Sequence, residues 1–362
     1  MLKKIYKYLL KMLFFLIYGK ISLQQINRQK NIKIIKISKL KSQKSKNKSY
    51  FLYEIKNGRV YTDNTENVAI INGNQIIKNI SFQQKNSFIK PTKYNSTIKQ
   101  GTPAIQKKIK GKVLILCQGA SGINNYCHWL LDILPKFRIC EEVYNLKDID
   151  YFYIQNKTVF QKESLKKIGI PLNKIIDCGK YKHIKADKII ALTHHVYNKN
   201  DYILNAQKKQ PEWSIIWLRK KFLKMRNNRN NKNRIFIDRS DSYSKHCQII
   251  NNEDVIKTFK KFNFKIYQLS KLSFRQQIKI FNDSKIIAGA HGAGLTNLIF
   301  CKKDTKVLEI IQKPNPNEIY KKISFFNKLK YQAIKVDEVK NNRFGDININ
   351  IKKLQKQIEY LI

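Results

Sequence analysis

In the middle of the chain, short apolar runs alternate with stretches of helical periodicity. Three runs have the length and composition of buried strands, at residues 112–118, 149–155 and 174–178. Between them, apolar residues recur at helical spacing over residues 125–144 and 158–169. Strands and helices in alternation predict a parallel sheet with helices on its faces.

The same alternation begins again beyond a polar segment at residues 227–233. Strand-like runs occupy residues 234–238, 264–269 and 306–311. The sequence Ser273-Phe274-Arg275-Gln276 is a capping box, which predicts a helix beginning at Phe274. The pattern therefore predicts two consecutive α/β domains.

The first hundred residues have a different character. Asn57-Gly58 and Asn72-Gly73 lie between short β-like runs and predict hairpin turns. Lysines and leucines over residues 1–20 predict a basic amphipathic helix on an anionic membrane surface, since the apolar run is too short to span a bilayer. We therefore divide the chain into an N-terminal segment and linker, an α/β domain with a hairpin-rich start, a second α/β domain and a C-terminal helix, at residues 1–49, 50–225, 226–345 and 346–362.

A glycine-rich stretch ends the strand-like run near Ile287. Its sequence is Ala290-His291-Gly292-Ala293-Gly294-Leu295-Thr296-Asn297, and an apolar helical pattern follows. Glycines let the backbone approach a ligand, and unpaired N–H groups at a helix start favour a phosphate. The stretch predicts an anion-binding turn; the alternative is a strand–helix joint with no ligand.

The charge of the chain is strongly positive, at +47. Only ten of its 72 basic residues are arginine, and the lysines are spread along the whole chain. Because nucleic-acid interfaces that recognise bases rely on clustered arginine, we do not expect a nucleic-acid partner. The six cysteines form no C-x-x-C pair, so we expect reduced, buried thiols and no metal site.

His128 and Asp132 are four residues apart on one predicted helical face. A histidine beside a carboxylate can remove a proton from a hydroxyl, so this pair is the candidate catalytic base. The alternative is a capping or packing histidine next to a solvated carboxylate.

Two charged residues lie near predicted strands of the second half. Arg239 follows a strand, where its guanidinium could hold a diphosphate; a surface salt bridge with Asp238 or Asp241 is the alternative. Glu309 lies within a strand, where it could accept hydrogen bonds from a ribose or serve only as a solvated carboxylate.

Two further patterns carry less chemistry. Asp148-Ile149-Asp150 has a metal-binding form but precedes a strand, so we interpret it as a loop. His194-His195 has no carboxylate at ligand spacing and is interpreted as structural.

Four motifs in fixed order resemble glycosyltransferase family 61 over residues 112–335. They are Asn125-Tyr126-Cys127-His128-Trp129-Leu130-Leu131-Asp132-Ile133-Leu134-Pro135, Ile249-Ile250-Asn251-Asn252-Glu253, Leu272-Ser273-Phe274-Arg275-Gln276-Gln277 and His291-Gly292-Ala293-Gly294-Leu295-Thr296-Asn297. The family shows a second arginine where Lys245 and His246 stand here, and neither offers a bidentate fork.

The resemblance implies a GT-B-like fold, in which two Rossmann-type domains face a cleft. In such a fold residues 50–225 would be the acceptor-side domain and residues 226–345 the nucleotide-sugar-binding domain. It also implies an inverting, metal-independent glycosyltransferase that takes a nucleotide-sugar as co-substrate and needs no other cofactor. Donor-binding residues would be Arg239, His291, Gly292, Ala293, Gly294, Leu295, Asn297 and Glu309, and His128 or Asp132 would activate the hydroxyl of a glycan acceptor.

We expect a role in capsular or cell-surface polysaccharide biosynthesis. The expected location is the cytoplasm, peripheral on the inner membrane, or the Golgi lumen in a eukaryote. The alternatives are a basic non-enzymatic protein that binds nucleic acid or anionic membrane, and a degenerate transferase that binds a donor without turnover.

Overall fold

The computed structural model describes residues 2–23, 31–40, 49–64, 66–118, 125–197, 201–202, 208–223, 233–242, 247–315, 317–339 and 345–362. Within it the chain forms two compact units, Met1–Trp217 and Leu218–Ile362. The expected domain boundary at 225/226, Lys245 and His246 lie outside the described residues.

The first unit contains twelve strands that belong to one sheet. They are β1 (Ser22–Leu23), β2 (Ile32–Ile37), β3 (Tyr50–Lys56), β4 (Arg59–Asn64), β5 (Asn67–Asn72), β6 (Gln75–Ile76), β7 (Phe82–Lys85), β8 (Phe88–Ile89), β9 (Gln106–Ile115), β10 (Tyr151–Tyr153), β11 (Ile175–Ile176) and β12 (His183–Leu192). The helices are α1 (Leu2–Tyr18), α2 (Ser96–Gln100), α3 (Tyr126–His128), α4 (Pro135–Glu141) and α5 (Val159–Lys167), with short 3₁₀ turns at Thr92–Tyr94, Leu146–Asp148 and Leu172–Lys174. Helix α6 (Glu212–Phe222) begins in this unit and continues beyond its last residue, Trp217.

Strand β12 joins the two halves of this sheet. It pairs in parallel with β9, which continues through β10 to β11, and it pairs antiparallel with β3 and β4. In the parallel part the chain moves outward from β9 to β11 and then returns to the other side of β9. The strand order thus reverses between β9 and β12, which is the position where open α/β sheets bind ligands.

The two Asn-Gly turns have different outcomes. Asn72-Gly73 closes the predicted hairpin, since β5 pairs antiparallel with β6 and Gly73 has φ 58°. Asn57-Gly58 does not, because β3 and β4 both pair with β12 instead of with each other. The Asn57 N–H donates to the Asp187 carbonyl at 2.9 Å, so this turn is an offset between two segments on the same neighbour.

Helix α1 is present as predicted, and it leaves much of its apolar surface in solvent. Its last turn is attached to the unit, since the Tyr18 hydroxyl accepts from the Gln106 N–H at 3.0 Å and the Phe15 ring lies against Gly101. Leu9 and Leu16 are 60% and 83% exposed. Of the helices in the described ranges, none has the length and apolar character needed to cross a membrane.

The second unit is built on five parallel strands in the order β14-β13-β15-β16-β17. They are β13 (Asn233–Asp238), β14 (Lys265–Gln268), β15 (Ser284–Ala290), β16 (Lys306–Lys313) and β17 (Lys330–Asp337). The helices are α7 (Asn252–Lys261), α8 (Phe274–Asn282), α9 (Ile319–Phe326) and α10 (Ile351–Leu361), with 3₁₀ helices at Leu269–Lys271 and Ala293–Phe300.

The order of these strands also reverses once, between β13 and β15. From β13 the chain moves outward to β14, then returns to β15 and continues outward to β17. This order, 2-1-3-4-5, is that of flavodoxin-like sheets, in which ligands bind at the reversal. The carboxyl ends of β13 and β15 are therefore the expected site of this unit.

Two predicted helices of the second unit are present, the one that begins at Phe274 and the C-terminal one, whereas α9 was not predicted. Val255 and Phe259 of α7 are fully buried, and the Phe259 ring stacks on Phe236 of β13 at 4.2 Å. Ser273 accepts from the Gln276 N–H at 3.2 Å while the Gln276 side chain binds the Ser273 N–H at 2.8 Å, so the capping box is formed. The α/β class is confirmed, and the GT-B arrangement of the two units stays a prediction.

Candidate functional site

The first unit brings His128 together with Asp132 and with a tyrosine that is distant in sequence. His128 Nδ1 lies 2.6 Å from Asp132 Oδ2, and the Tyr197 hydroxyl donates to the same oxygen at 2.8 Å. His128 follows β9 and Tyr197 follows β12, so the cluster lies at the carboxyl ends of the two strands that flank the reversal. Asp132 is 1% exposed, so it is not the solvated carboxylate of the alternative interpretation.

The geometry of this pair fixes the tautomer that can act as a base. A carboxylate only accepts, so the proton between the two groups belongs to His128 Nδ1, and Nε2 is left as the acceptor. The His128 side chain is 16% exposed, which gives an incoming hydroxyl access to it. The Tyr197 bond occupies the carboxylate further and holds it in place.

The helix that carries His128 is irregular. The single helix predicted over residues 125–144 is divided into α3, a π-helix at Trp129–Ile133 and α4. The Leu134 N–H donates to the Trp129 carbonyl at 3.1 Å, five residues back. Single π turns within helices are frequent at functional sites.

Pro135 leaves a backbone carbonyl of this irregular helix free to bind the segment that follows β12. Proline has no N–H, so it cannot donate to the Leu131 carbonyl as a regular helix would require. That carbonyl instead accepts from His195 Nε2 at 2.6 Å and from Gln210 Nε2 at 3.0 Å. His195 is therefore a structural residue, as predicted, and it fixes the segment that carries Tyr197.

Lys136 is a fully buried cation one turn beyond Asp132. Its ammonium donates to the Leu116 carbonyl at 2.9 Å and to the Gln118 carbonyl, at the end of β9. Burial lowers the pKa of Lys136 to about 8, and the nearby Asp132 carboxylate acts in the opposite direction. At neutral pH the side chain is charged, so it places a positive charge near Asp132.

The second unit repeats the same chemical arrangement. His291 Nδ1 lies 2.5 Å from Glu309 Oε1, and the Tyr331 hydroxyl donates to Glu309 Oε2 at 2.5 Å. Burial raises the pKa of the Tyr331 hydroxyl far above its usual range, and the Glu309 carboxylate raises it further, so Tyr331 remains a donor. Glu309 is 1% exposed and is no solvated edge carboxylate.

Arg239 lies directly against the glycine turn. A Cβ atom at position 292 would collide with the Arg239 guanidinium. Gly292 has φ 162°, which is extended backbone that any residue adopts, so glycine is needed here for space. Arg239 follows β13 and Gly292 follows β15, which places a guanidinium and a turn of backbone amides together at the reversal of the second sheet.

The two carboxylates near Arg239 in sequence, Asp238 and Asp241, accept hydrogen bonds from other residues. The Asp238 carboxylate accepts from Asn252 at 3.0 Å and from the Gln268 amide at 2.8 Å, and Asp241 accepts from the Ser270 N–H at 2.9 Å. Burial raises the pKa of Asp238, but hydrogen bonds from its neighbours outweigh that effect and hold the pKa below its usual value.

The glycine turn differs from its prediction in three details. The helix that follows is 3₁₀, and the Leu295 N–H already donates to the Gly292 carbonyl at 2.9 Å. Asn297 is fully buried, and its amide binds Gln277 and the Gly294 carbonyl at 3.0 and 3.1 Å. Direct contacts of Leu295, Asn297 and Glu309 with a donor stay predictions, and the observed bonds give all three a role in holding the turn and His291.

The Asp148-Ile149-Asp150 pattern adds no site. Asp148 ends a 3₁₀ turn and Asp150 accepts from the Lys112 N–H at 2.7 Å, so Asp148-Ile149-Asp150 is the loop before β10 that the sequence predicts. Within the described part of the chain, no three His, Cys, Asp or Glu side chains are grouped to hold a metal ion.

Sequence reasoning missed Tyr197, Tyr331 and Lys136. The two tyrosines approach their carboxylates only through the fold, 65 and 22 positions along the chain. Lys136 had a detectable pattern, because His128, Asp132 and Lys136 recur every four residues.

Comparison with known proteins connects this geometry to a family. A beta-1,2-xylosyltransferase of Oryza sativa subsp. japonica is 38% identical over 63 residues, which cover 17% of this chain and 12% of that protein. A beta-1,2-xylosyltransferase of Arabidopsis thaliana is 32% identical over 66 residues, which cover 18% of this chain and 12% of that protein. The chain thus matches a small part of the length of either relative. The profile of the family described as Glycosyltransferase 61 matches residues 126–308, half of the 362 residues. The matched range includes His128, Asp132 and His291 and ends one residue before Glu309. The chain belongs to glycosyltransferase family 61.

Proposed function

We propose that the chain is an inverting, metal-independent glycosyltransferase that moves a sugar from a nucleotide-sugar to a hydroxyl of a glycan. The observation that carries this proposal is the His128–Asp132 pair, in which His128 Nδ1 lies 2.6 Å from a buried carboxylate that also accepts from the Tyr197 hydroxyl. It supplies the proton acceptor that transfer to an alcohol demands. Family membership supports the class of reaction.

His128 Nε2 removes the proton of the acceptor hydroxyl as its oxygen bonds to the anomeric carbon. The bond from that carbon to the diphosphate breaks, and its electron pair leaves with the diphosphate. Asp132 stays ionised and stabilises the imidazolium that forms, as the carboxylate does in a Ser-His-Asp triad. One displacement from the face opposite the leaving group inverts the anomeric centre.

The second unit holds the leaving group in this proposal. Arg239 offers a planar fork that matches phosphate oxygens, and the amides of Gly292 to Gly294 add neutral donors beside it. Glu309 accepts from His291 Nδ1 and so sets the orientation of the ring toward the same strand ends. These donors act on charge that grows as the diphosphate leaves.

The first donor to test is a nucleotide-activated xylose. Both relatives carry beta-1,2-xylosyltransferase as their name, and a pentose is therefore a better starting point than a hexose. We propose a cell-surface or capsular glycan as the acceptor class.

Turnover of a panel of nucleotide-sugars in EDTA, with a mixed glycan acceptor, tests the reaction. We expect product with one donor and an inverted linkage by NMR. His128→Gln should abolish product, and Asp148→Asn, on an exposed loop, should not. A strict Mn²⁺ requirement or a retained anomeric configuration contradicts the mechanism, and donor binding without product identifies a degenerate transferase.

We also propose that α1 attaches the enzyme to an anionic membrane. The face opposite Phe15 and Tyr18 exposes Leu9 and Leu16, at 60% and 83%, and a chain of charge +47 is attracted to acidic lipid. Such a helix would hold the enzyme near a surface glycan.

Sedimentation with vesicles tests the attachment. The protein should bind phosphatidylglycerol vesicles and not phosphatidylcholine vesicles at moderate salt. Leu9→Gln with Leu16→Gln should release it, whereas Val159→Gln, which changes a side chain 66% exposed on α5, should not. Equal release by both variants would show that α1 is not the attachment.

A further inference from the structure

The first unit holds a cavity of about 650 Å³ that the proposed mechanism does not use. Thr193 and His194 line it just after β12, and Phe82 lines it from β7. We infer that this cavity binds a neutral sugar unit of the glycan acceptor, the unit next to the one that reacts. The inference rests on the transferase function proposed above.

One wall of the cavity consists of aromatic rings in mutual contact. His194 stacks on Tyr197 with ring centroids 4.3 Å apart, and Phe82 lies 6.3 Å from His194 and 6.0 Å from Tyr197. The rest of the lining includes hydroxyl and amide side chains, among them Asn79 and Thr193, and two lysines, Lys78 and Lys90, which can donate to sugar hydroxyls. A pyranose has an apolar C–H face and a polar edge of hydroxyls, and this lining offers a partner for each.

Gln118 supplies an acceptor that a sugar hydroxyl would satisfy. The residue lines the cavity and is 3% exposed, and its Nε2 donates to the Ile80 carbonyl at 2.5 Å. Its Oε1 is buried and has no hydrogen-bond partner among the residues that the structure describes. An unpaired buried acceptor is costly, and a ligand O–H removes that cost.

Tyr197 joins the cavity to the candidate base. Its ring forms part of the cavity wall, and its hydroxyl donates to Asp132, which binds His128. His128 does not belong to the described lining, so Tyr197 stands between the cavity and the proton acceptor. A sugar unit in the cavity is therefore a neighbour of the reacting unit, and acceptors of at least two units should bind best.

Binding to an array of neutral mono- to tetrasaccharides built from xylose, glucose, galactose and mannose tests this inference without requiring catalysis. The labelled full-length protein should bind one series of disaccharides and longer glycans at least tenfold better than the monosaccharides. Gln118→Leu, which removes the acceptor at similar size, should weaken that binding about tenfold. No binding to any glycan, or equal binding to mono- and oligosaccharides, overturns the inference.

A matched pair of variants guards against a loss of folding. Phe82→Leu should weaken oligosaccharide binding, whereas Phe88→Leu, on the neighbouring strand and outside the cavity, should leave it unchanged; thermal melting of both verifies the fold. Equal effects of the two variants contradict the inference. Thermal stabilisation by nucleotide-sugars, measured in parallel, tests the proposed function separately. Stabilisation without glycan binding contradicts only the inference about the cavity. Glycan binding without donor binding or turnover contradicts only the proposed transferase function.

Discussion

The two units carry the same three side-chain types in the same order of contacts, histidine to carboxylate to tyrosine. In the first, His128 and Asp132 share a helix; in the second, His291 and Glu309 lie at neighbouring strands. In both, the histidine follows a strand next to the point where strand order reverses. A carboxylate held by a tyrosine is thus a general way of fixing an imidazole at a sheet edge.

What differs is the neighbourhood of each cluster. The first has the buried Lys136 behind its carboxylate and an aromatic cavity beside Tyr197. The second has Arg239 packed on the amide turn that begins at Gly292. The histidine–carboxylate pair alone therefore does not define a role. Its surroundings favour a proton acceptor in the first unit and an anion-binding group in the second.

Removing His128 should separate the two roles most clearly. His128→Ala should lower kcat by about 10³-fold, since general-base catalysis contributes roughly 10²–10⁴-fold. Donor-induced thermal stabilisation should persist, whereas His291→Ala should weaken it. If the two substitutions exchange these effects, the assignment of the clusters is reversed.

Arg239→Lys should lower kcat/KM by about 10²-fold, because lysine keeps the charge but lacks the bidentate fork. Steady-state kinetics with a series of donor concentrations measures it. Arg234→Lys is the matched control, since Arg234 lies on β13, the strand that Arg239 follows, and donates to the Phe262 carbonyl. Equal losses in the two variants would assign the effect to the strand and not to the fork.

Gly292→Ala should lower kcat/KM by about tenfold with little change in Tm. The backbone at φ 162° accepts alanine, but the new methyl group displaces the Arg239 guanidinium and one charge-assisted bond. Gly73→Ala is the opposite case: nothing lies within 4 Å of a Cβ there, but φ is 58°. It should cost about 1 kcal/mol of stability and no activity; activity loss in that variant would contradict the distinction.

His183 differs from His128 and His291 because it is a buried histidine bonded to a carbonyl and not to a carboxylate. Burial lowers its pKa from 6.5 to about 4. As the pH falls, His183 is therefore protonated in the unfolded chain before it is protonated in the folded chain. The free energy of unfolding should be independent of this group above pH 6.5 and should fall as the pH drops toward 4.

Thermal melting from pH 7 to pH 4 measures this dependence. His183→Gln should remove roughly 5 °C of the acid-induced decrease in Tm without altering turnover at neutral pH. An unchanged pH slope in that variant would mean that His183 is not the titrating group.

Periodicity and caps in the sequence were enough to predict most of the second unit. Parallel strands that are buried on both faces appear in the sequence as apolar runs. In β16, Val307–Leu308 and Ile310–Ile311 are such runs, and all four residues are buried. The i, i+4 spacing likewise predicted the contact of His128 with Asp132.

The rest depends on long-range pairing. Strand β12 interleaves His183, Lys185 and Lys188 with apolar residues, which conceals the central strand of the first sheet. Asn57-Gly58 has the residues of a hairpin turn but faces β12, and only the strand order reveals it. Tyr197 and Tyr331 reach their carboxylates across the fold, which no local pattern encodes.

Pro135 has a consequence for anyone redesigning this protein. Replacing it with alanine would improve helix propensity and return a backbone donor to the Leu131 carbonyl. The new N–H would then compete with His195 and Gln210 for the carbonyl that anchors both side chains. A more regular helix would thus loosen the loop that carries Tyr197 and weaken the proposed catalysis.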